Sequence, residues 1–261
     1  MSKHRVAAIF FAALLALTAA TPAMAERLII SLSNHRVMVT SSYTGVDLVL
    51  FGSVEGDQPT VVQRGGYDVV VTVTGPRDNE RTRRKSRVLG IWVNTDSRTF
   101  INVPSYLAIL TNKPTEAIAD ADTLRRLQVG FENFQLPQRI GPDVADVVKE
   151  DPFRQAFVRL KKEHGLYVDR ENAVTFLTPT LFRAEVPMPP NVPFGIYEVD
   201  VKLFADGEMI AQTTSALEVI KVGFEQFVAD AARDHSLLYG LATAMLALLT
   251  GWFASVVFRR D

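Results

Sequence analysis

Catalysis by imidazole or metal has few residues to work with here. Histidine occurs at positions 4, 35, 164 and 235, far apart and never in an H-E-x-x-H array. Zinc sites built on a helix need two such ligands one turn apart. Cysteine is absent, which excludes thiolate nucleophiles, Fe–S centres, Cys-type zinc sites and disulfide frameworks. Asp120-x-Asp122 has part of the spacing of a calcium loop. The remaining ligands and the loop glycine are missing, so the pair reads as a solvated helix face. Gly65-Gly66 reads as a turn, and no G-x-S-x-G elbow, phosphate-binding glycine loop or dinucleotide fingerprint occurs. These residues predict no catalytic centre, no cofactor and no metal, unless folding assembles scattered carboxylates and arginines that lie apart in sequence.

One run of charge stands out: Arg81-Thr82-Arg83-Arg84-Lys85-Ser86-Arg87. Guanidinium groups present a planar fork to anions. Arg81, Arg83, Arg84, Lys85 and Arg87 are therefore candidates for contact with an oxyanion, acidic lipid headgroups or an acidic partner. The competing and favoured reading is a charged edge strand that deters aggregation, with Asp78 and Glu80 diluting the field. Trp92 and the Phe153/Phe157 pair are expected in the core. The whole chain, 261 residues with 28 basic and 29 acidic side chains, has a formal net charge of −1. It lacks the global field that a nucleic-acid binder uses.

The two ends of the chain decide where such residues would operate. Residues 1–25 combine Lys3 and Arg5, an apolar stretch from Val6 to Ala20, and Ala23-Met24-Ala25, the composition of a cleavable secretory signal. Residues 237–258 carry no charge, and 22 helical residues extend roughly 33 Å, enough to cross a bilayer. Tyr239, Trp252 and Phe253 lie toward its boundaries, and Arg259 and Arg260 follow it. The positive-inside rule then predicts a single pass, a cytoplasmic tail at 259–261 and an exported body. In a Gram-negative cell this is the inner membrane with a periplasmic domain. Gly240, Ala244, Ala247, Gly251 and Ser255 form a ridge of small residues along the span. Such ridges pack helices closely in lipid, so the span predicts a homo-oligomer or a membrane-protein partner. Phe224, Phe227, Val228 and Ala231 at helical spacing predict a juxtamembrane helix over 223–236 without a flexible linker.

Between the ends, the pattern predicts a mainly β, immunoglobulin-like antiparallel sandwich with a helical insert. Period-two alternation places Val69, Val71 and Val73 on one face of a strand at 67–74, and 46–52 alternates likewise. Further strands are expected at 28–32, 36–40, 88–93, 99–103 and 106–110. Residues 26–112 thus read as a β-sandwich domain and 113–165 as a helical connector. Within it, Ile118, Ala121, Leu124 and Leu127 recur every third residue. Asp151 and Pro152 open a second helix that Gly165 closes. Residues 166–222 form a second immunoglobulin-like segment, in which Tyr197, Val199, Val201 and Leu203 face the core while Glu198, Asp200 and Lys202 face water. Asp206-Gly207 suits a two-residue hairpin turn, and Gly195-x-Tyr197-x-Val199 has the spacing of a tyrosine corner. Four strands are too few for an independent sandwich, so this segment is placed to complete a sheet begun earlier.

The blocks Gly90-Ile91-Trp92-Val93-Asn94, Asn102-Val103-Pro104-Ser105-Tyr106, Leu181-Phe182-Arg183-Ala184 and Pro193-x-Gly195-x-Tyr197, with the ending Tyr239-Gly240-Leu241…Gly251-Trp252…Phe258-Arg259-Arg260-Asp261, resemble the alphaproteobacterial transmembrane protein family. The resemblance covers nearly all of the exported chain. It implies no catalytic residues, and it implies a genomic neighbourhood beside sulfite-exporter-type membrane permeases. The expected function is a non-enzymatic, membrane-anchored module docking on a permease or envelope complex. The alternative is a periplasmic enzyme or anion-binding protein whose site only folding assembles.

Overall fold

The computed structural model describes residues 26–55, 66–140, 143–146, 150–223, 228 and 232–257. The signal segment, Gly65, Arg259 and Arg260 lie outside the described residues, as do Phe224, Phe227 and Ala231 of the expected juxtamembrane helix.

Strands β1 (Arg27–Leu32), β2 (Arg36–Val39), β3 (Val46–Glu55) and β4 (Asp68–Thr74) open the chain. After them come β5 (Arg77–Val88), β6 (Ile91–Pro104) and β7 (Leu107–Thr111). A short helix α1 (Ala121–Arg126), strands β8 (Pro137–Ile140) and β9 (Asp143–Asp146), and helix α2 (Pro152–Glu163) fill the middle. Strands β10 (Tyr167–Arg170), β11 (Val174–Phe176), β12 (Leu181–Met188), β13 (Gly195–Ala205) and β14 (Glu208–Lys221) lead to helix α3 (Ser236–Val257).

Strands from both halves share sheets. One sheet has the order β1-β3-β12-β11 and the next has β10-β7-β4-β13-β14-β2. The later strands therefore complete sheets that the earlier ones began, as their small number required. The two sheets face each other across one core. In it Leu48, Leu50, Phe182 and Val186 from the first sheet meet Val69, Val71, Val73, Tyr197, Val199 and Leu203 from the second. Cross-strand pairing puts Phe182 opposite Gly52. A Cβ at Gly52 would sit 2.0 Å from the Phe182 ring, so the ring occupies the space that a side chain would take.

The second sheet is covered on its outer face too. Val70, Leu107, Ile109 and Phe204 pack there against Ile118, Leu124, Leu136, Phe153 and Phe157 from the middle of the chain. This second core corrects the expectation that Lys202 and Asp200 face water. Lys202 is buried and pairs with Asp200, because the strand that carries them is roofed on both sides. The connector 113–165 is likewise not purely helical. The three-residue periodicity over 118–127 yields only α1, capped by Asp120 accepting from the Thr123 backbone N–H. Strands β8 and β9 join β5 and β6 in a third sheet of order β5-β6-β8-β9. Helix α2 forms as its signals predict. Asp151 accepts from the Arg154 N–H, Pro152 holds the first turn, and Gly165 takes φ +69°. Asp206 and Gly207, at φ +52° and +84°, make the expected tight turn.

Candidate functional site

The expected basic run lies in β5, at the edge of the third sheet, where the charged-edge reading places it. The expected strand at 88–93 is instead the end of a hairpin. Val88 pairs with Ile91, and Leu89 and Gly90 form a two-residue turn at φ +50° and +87°. Such turns usually take Asn-Gly or Asp-Gly, since an ordinary L-residue in the left-handed region is strained.

β5 and β6 continue the ladder of β4 and β7. Thr74 pairs with Leu107, the Gly75 N–H donates to the Tyr106 carbonyl, and the Ser105 N–H donates to the Pro76 carbonyl. Arg77 then pairs with Pro104, so one two-stranded ribbon runs out of the second sheet and beyond it. Twelve residues of β5 correspond to roughly 40 Å when straight. Extra residues on β6, between the Asp78 and Glu80 pairs and between the Arg84 and Lys85 pairs, bend the ribbon twice.

Three buried tyrosines fix its root. The Tyr106 hydroxyl donates to the Pro187 carbonyl, Tyr167 to Pro104 at 2.8 Å, and Tyr197 to Pro193 at 2.6 Å. The last bond reaches back four residues and completes the expected tyrosine corner. Burial pushes all three phenols well above their ordinary range, so they stay neutral donors. A Cβ at Gly75 would lie 2.9 Å from the Tyr106 Cβ and 3.0 Å from the Tyr197 ring, so any larger residue would have to displace these side chains.

Helix α2 clamps the proximal half. Phe157 stacks on Phe100 at 4.3 Å, and Arg98 lies 5.2 Å from the Phe153 ring; both phenylalanines are buried, as expected. Lys161, which its sequence position marks as a cation at a helix C-terminus, is buried. Its Nζ donates to Glu80 at 2.6 Å and to the Ser105 carbonyl at 3.2 Å, beneath the rings of Phe157 and Tyr167. The distal half has no such support. Every residue from Arg83 to Ser97 is exposed or half-buried. Strand alternation puts Arg81, Arg83, Lys85 and Arg87 on one face, with Arg84 on the other. Arg87 stands directly opposite Trp92. Trp92 is 70% exposed, which corrects its expected place in the core: its strand overhangs the sandwich, and among the described residues only β5 pairs with it there.

The remaining candidates stay apart. Gly240, Ala244, Ala247, Gly251 and Ser255 all lie exposed on α3. Residues Ser236–Ser255 form a span long and apolar enough to cross a membrane, with none of it buried among the described residues. Among the described residues no group of His, Asp or Glu is placed to hold a metal. A cleft of about 1030 Å³ opens at the other end of the sandwich, lined by Asp68, Lys113, Glu116, Asp120 and Arg126. Two of its carboxylates have structural tasks. Asp68 accepts from Asn112 and pairs with Lys113 at 2.8 Å. Asp120 caps α1, and the Thr123 N–H holds its carboxyl below the usual carboxylate range.

Comparison with known proteins adds two findings. A family described as "Putative transmembrane protein (Alph_Pro_TM)" matches residues 27–260. Among solved structures, AggA, the major subunit of aggregative adherence fimbriae type I from Escherichia coli, aligns over 76% of this chain and 95% of its own. The identity is 9% and the TM-score 0.27, too low to support an argument. No curated protein matches.

Proposed function

Because the chain belongs to this transmembrane family across residues 27–260, we propose that it is a non-catalytic accessory module that α3 holds on a bilayer while it docks on a second membrane protein. A permease of the sulfite-exporter class is the favoured partner, and a second copy of the chain is the alternative. The proposed setting is the bacterial inner membrane, with the sandwich in the periplasm and the C-terminus in the cytoplasm. The observation that carries the reading is α3 itself. It is an apolar helix of 22 residues, and a Cβ added at Gly240 or Gly251 would meet nothing within 4 Å. In lipid, helices associate by close packing of small residues, not by the hydrophobic effect.

Recovery of the full-length protein from mild detergent, followed by identification of stoichiometric partners, tests the proposal. Gly240→Leu with Gly251→Leu should preserve membrane insertion yet weaken association by about 1–2 kcal/mol, a loss of roughly five- to thirtyfold. Wild-type recovery of the partner by this double variant would leave α3 a passive tether and refute the docking role of the helix.

A further inference from the structure

The outer end of the ribbon combines three features that a solvated edge strand does not need. Leu89 is 100% exposed, Trp92 70% and Ile91 65%, so its most apolar residues project furthest from the core. Leu89 occupies a left-handed position at φ +50°, where Asn or Gly would relieve both strain and exposure. Cations crowd the strands behind it: Arg83, Arg84, Lys85, Arg87 and Arg98, against Asp96 as the sole acid between residues 83 and 98. An apolar tip bearing tryptophan, backed by long basic side chains, matches the chemistry of a membrane–water interface. There the indole sits at headgroup depth while arginine and lysine extend their charged ends to lipid phosphates.

The topology supplies the bilayer. β4 runs into the ribbon at Thr74, and Thr74 pairs with Glu198 near the start of β13. Gly195, at that start, pairs with Val219 near the end of β14. The ribbon therefore leaves the second sheet from the same end as Lys221, the last strand residue before α3. Fourteen residues join Lys221 to Ser236, of which 228 and 232–234 are helical, so this stretch reaches from roughly 21 Å if wholly helical to at most roughly 40 Å. The twice-bent ribbon, at most roughly 40 Å long, falls within that span. The tip can thus meet the surface of the bilayer that α3 is long enough to cross.

We propose that the β5–β6 tip is a second membrane attachment, seating Leu89, Ile91 and Trp92 among the headgroups of an anionic bilayer with Arg83, Arg84, Lys85 and Arg87 on the lipid phosphates. Two attachments, the helix and the tip, fix how the sandwich stands over the membrane. This goes beyond docking through α3 and does not depend on it, since lipid alone supplies the expected result.

The absence of cysteine makes the test direct, because an introduced thiol is the only one in the chain. Full-length Leu89→Cys and Ser97→Cys proteins are labelled with an environment-sensitive fluorophore. They are then placed in nanodiscs of phosphatidylcholine alone or with phosphatidylglycerol, where both faces remain open to solution. With phosphatidylglycerol, the probe at 89 should shift to shorter wavelength and resist aqueous dithionite. The probe at 97, lower on the ribbon, should do neither. The shift should fade with added salt. Arg83→Ser, Arg84→Ser and Lys85→Ser together should lower the ratio of embedded to free tip on the order of a hundredfold at low ionic strength, each cation near an anionic surface being worth about fivefold. Because labelling could alter the tip, Trp92 fluorescence in a Trp252→Phe protein gives an independent reading: shielding from iodide only when phosphatidylglycerol is present. Three results would overturn the proposal. A tip that is equally water-accessible in both nanodiscs refutes attachment, and equal embedding in both refutes recognition of anionic lipid. A tip shielded only after a membrane protein is added assigns it to a protein partner.

Discussion

The clamp between α2 and the ribbon makes a sharp energetic prediction. Lys161 is 10% exposed at its side chain and Glu80 is 30% exposed, with 2.6 Å between their charged atoms. Removing one partner of a fully buried pair costs about 3–5 kcal/mol, because the other charge is left uncompensated. Lys161→Met keeps the aliphatic packing but strands Glu80 and frees the Ser105 carbonyl. Glu80 retains some access to water, so the cost should fall to about 2–3 kcal/mol. Glu80→Met strands the more deeply buried ammonium and should cost as much or more, softened only by the neighbouring rings of Phe157 and Tyr167. The double variant removes both charges and leaves apolar groups of similar length. It should therefore lie nearer the wild type than either single change, with a coupling of about 1–3 kcal/mol. The assay should not rely on tryptophan, since Trp92 sits on the exposed tip and Trp252 on α3. Urea unfolding followed by far-ultraviolet circular dichroism, with near-ultraviolet tyrosine signals as a second probe, reads the sandwich instead. If the double variant loses the sum of the single losses, the two charges are independent and α2 does not hold the ribbon through them.

Three further outcomes follow from other features. Gly52→Ala forces the Phe182 ring out of its place and should cost about 1–3 kcal/mol, and Phe182→Leu in the same chain should recover part of it; denaturant midpoints measure both. Leu89→Asn should leave the sandwich as stable as the wild type or slightly more so, within about 0.5–1 kcal/mol, because Asn suits the left-handed turn. A large loss in the same unfolding assay would mean that the tip packs on the protein. Asp120→Ala should lower stability at neutral pH. The folded carboxyl titrates below its unfolded value, so its contribution is present above about pH 4 and is lost as pH falls through the lowered folded value. Unfolding midpoints of variant and wild type should therefore converge on acidification.

What the sequence discloses about this fold depends on how local each signal is. Val69, Val71 and Val73 alternate because their strand lines one face of the central core, and the Asp151-Pro152 start and Gly165 stop of α2 are settled within a single turn. Tyr197 is legible for the same reason, its partner lying only four residues away. Trp92 misleads because its side chain has the character of a core residue, while its exposure depends on how far a ribbon outruns its sheet. The turn at Leu89-Gly90 escapes notice since leucine is not a turn former. Lys161 resembles a helix-terminal cation, because Glu80 is 81 positions away and no periodicity links them. β8 and β9 are short, polar and paired to a neighbour across a chain reversal, so they carry no apolar alternation to read. The basic run is readable as charge, but its projection beyond the sandwich is a tertiary fact.

The parallel pairing of β2 with β14 has a consequence in time. Arg36–Val39 lies beside Glu218–Lys221, and the Arg36 guanidinium meets the Glu218 carboxylate across 182 residues of sequence. The earlier strand therefore waits for one made 182 residues later. Closing so long a loop is entropically slow, and until β14 arrives β2 has no neighbour in the sheet. The apolar segment of α3 follows only fourteen residues behind β14, so the strand that completes this edge and the candidate span are made in close succession. A chain truncated before β14 would be an open sheet with unpaired edges, exposed to aggregation.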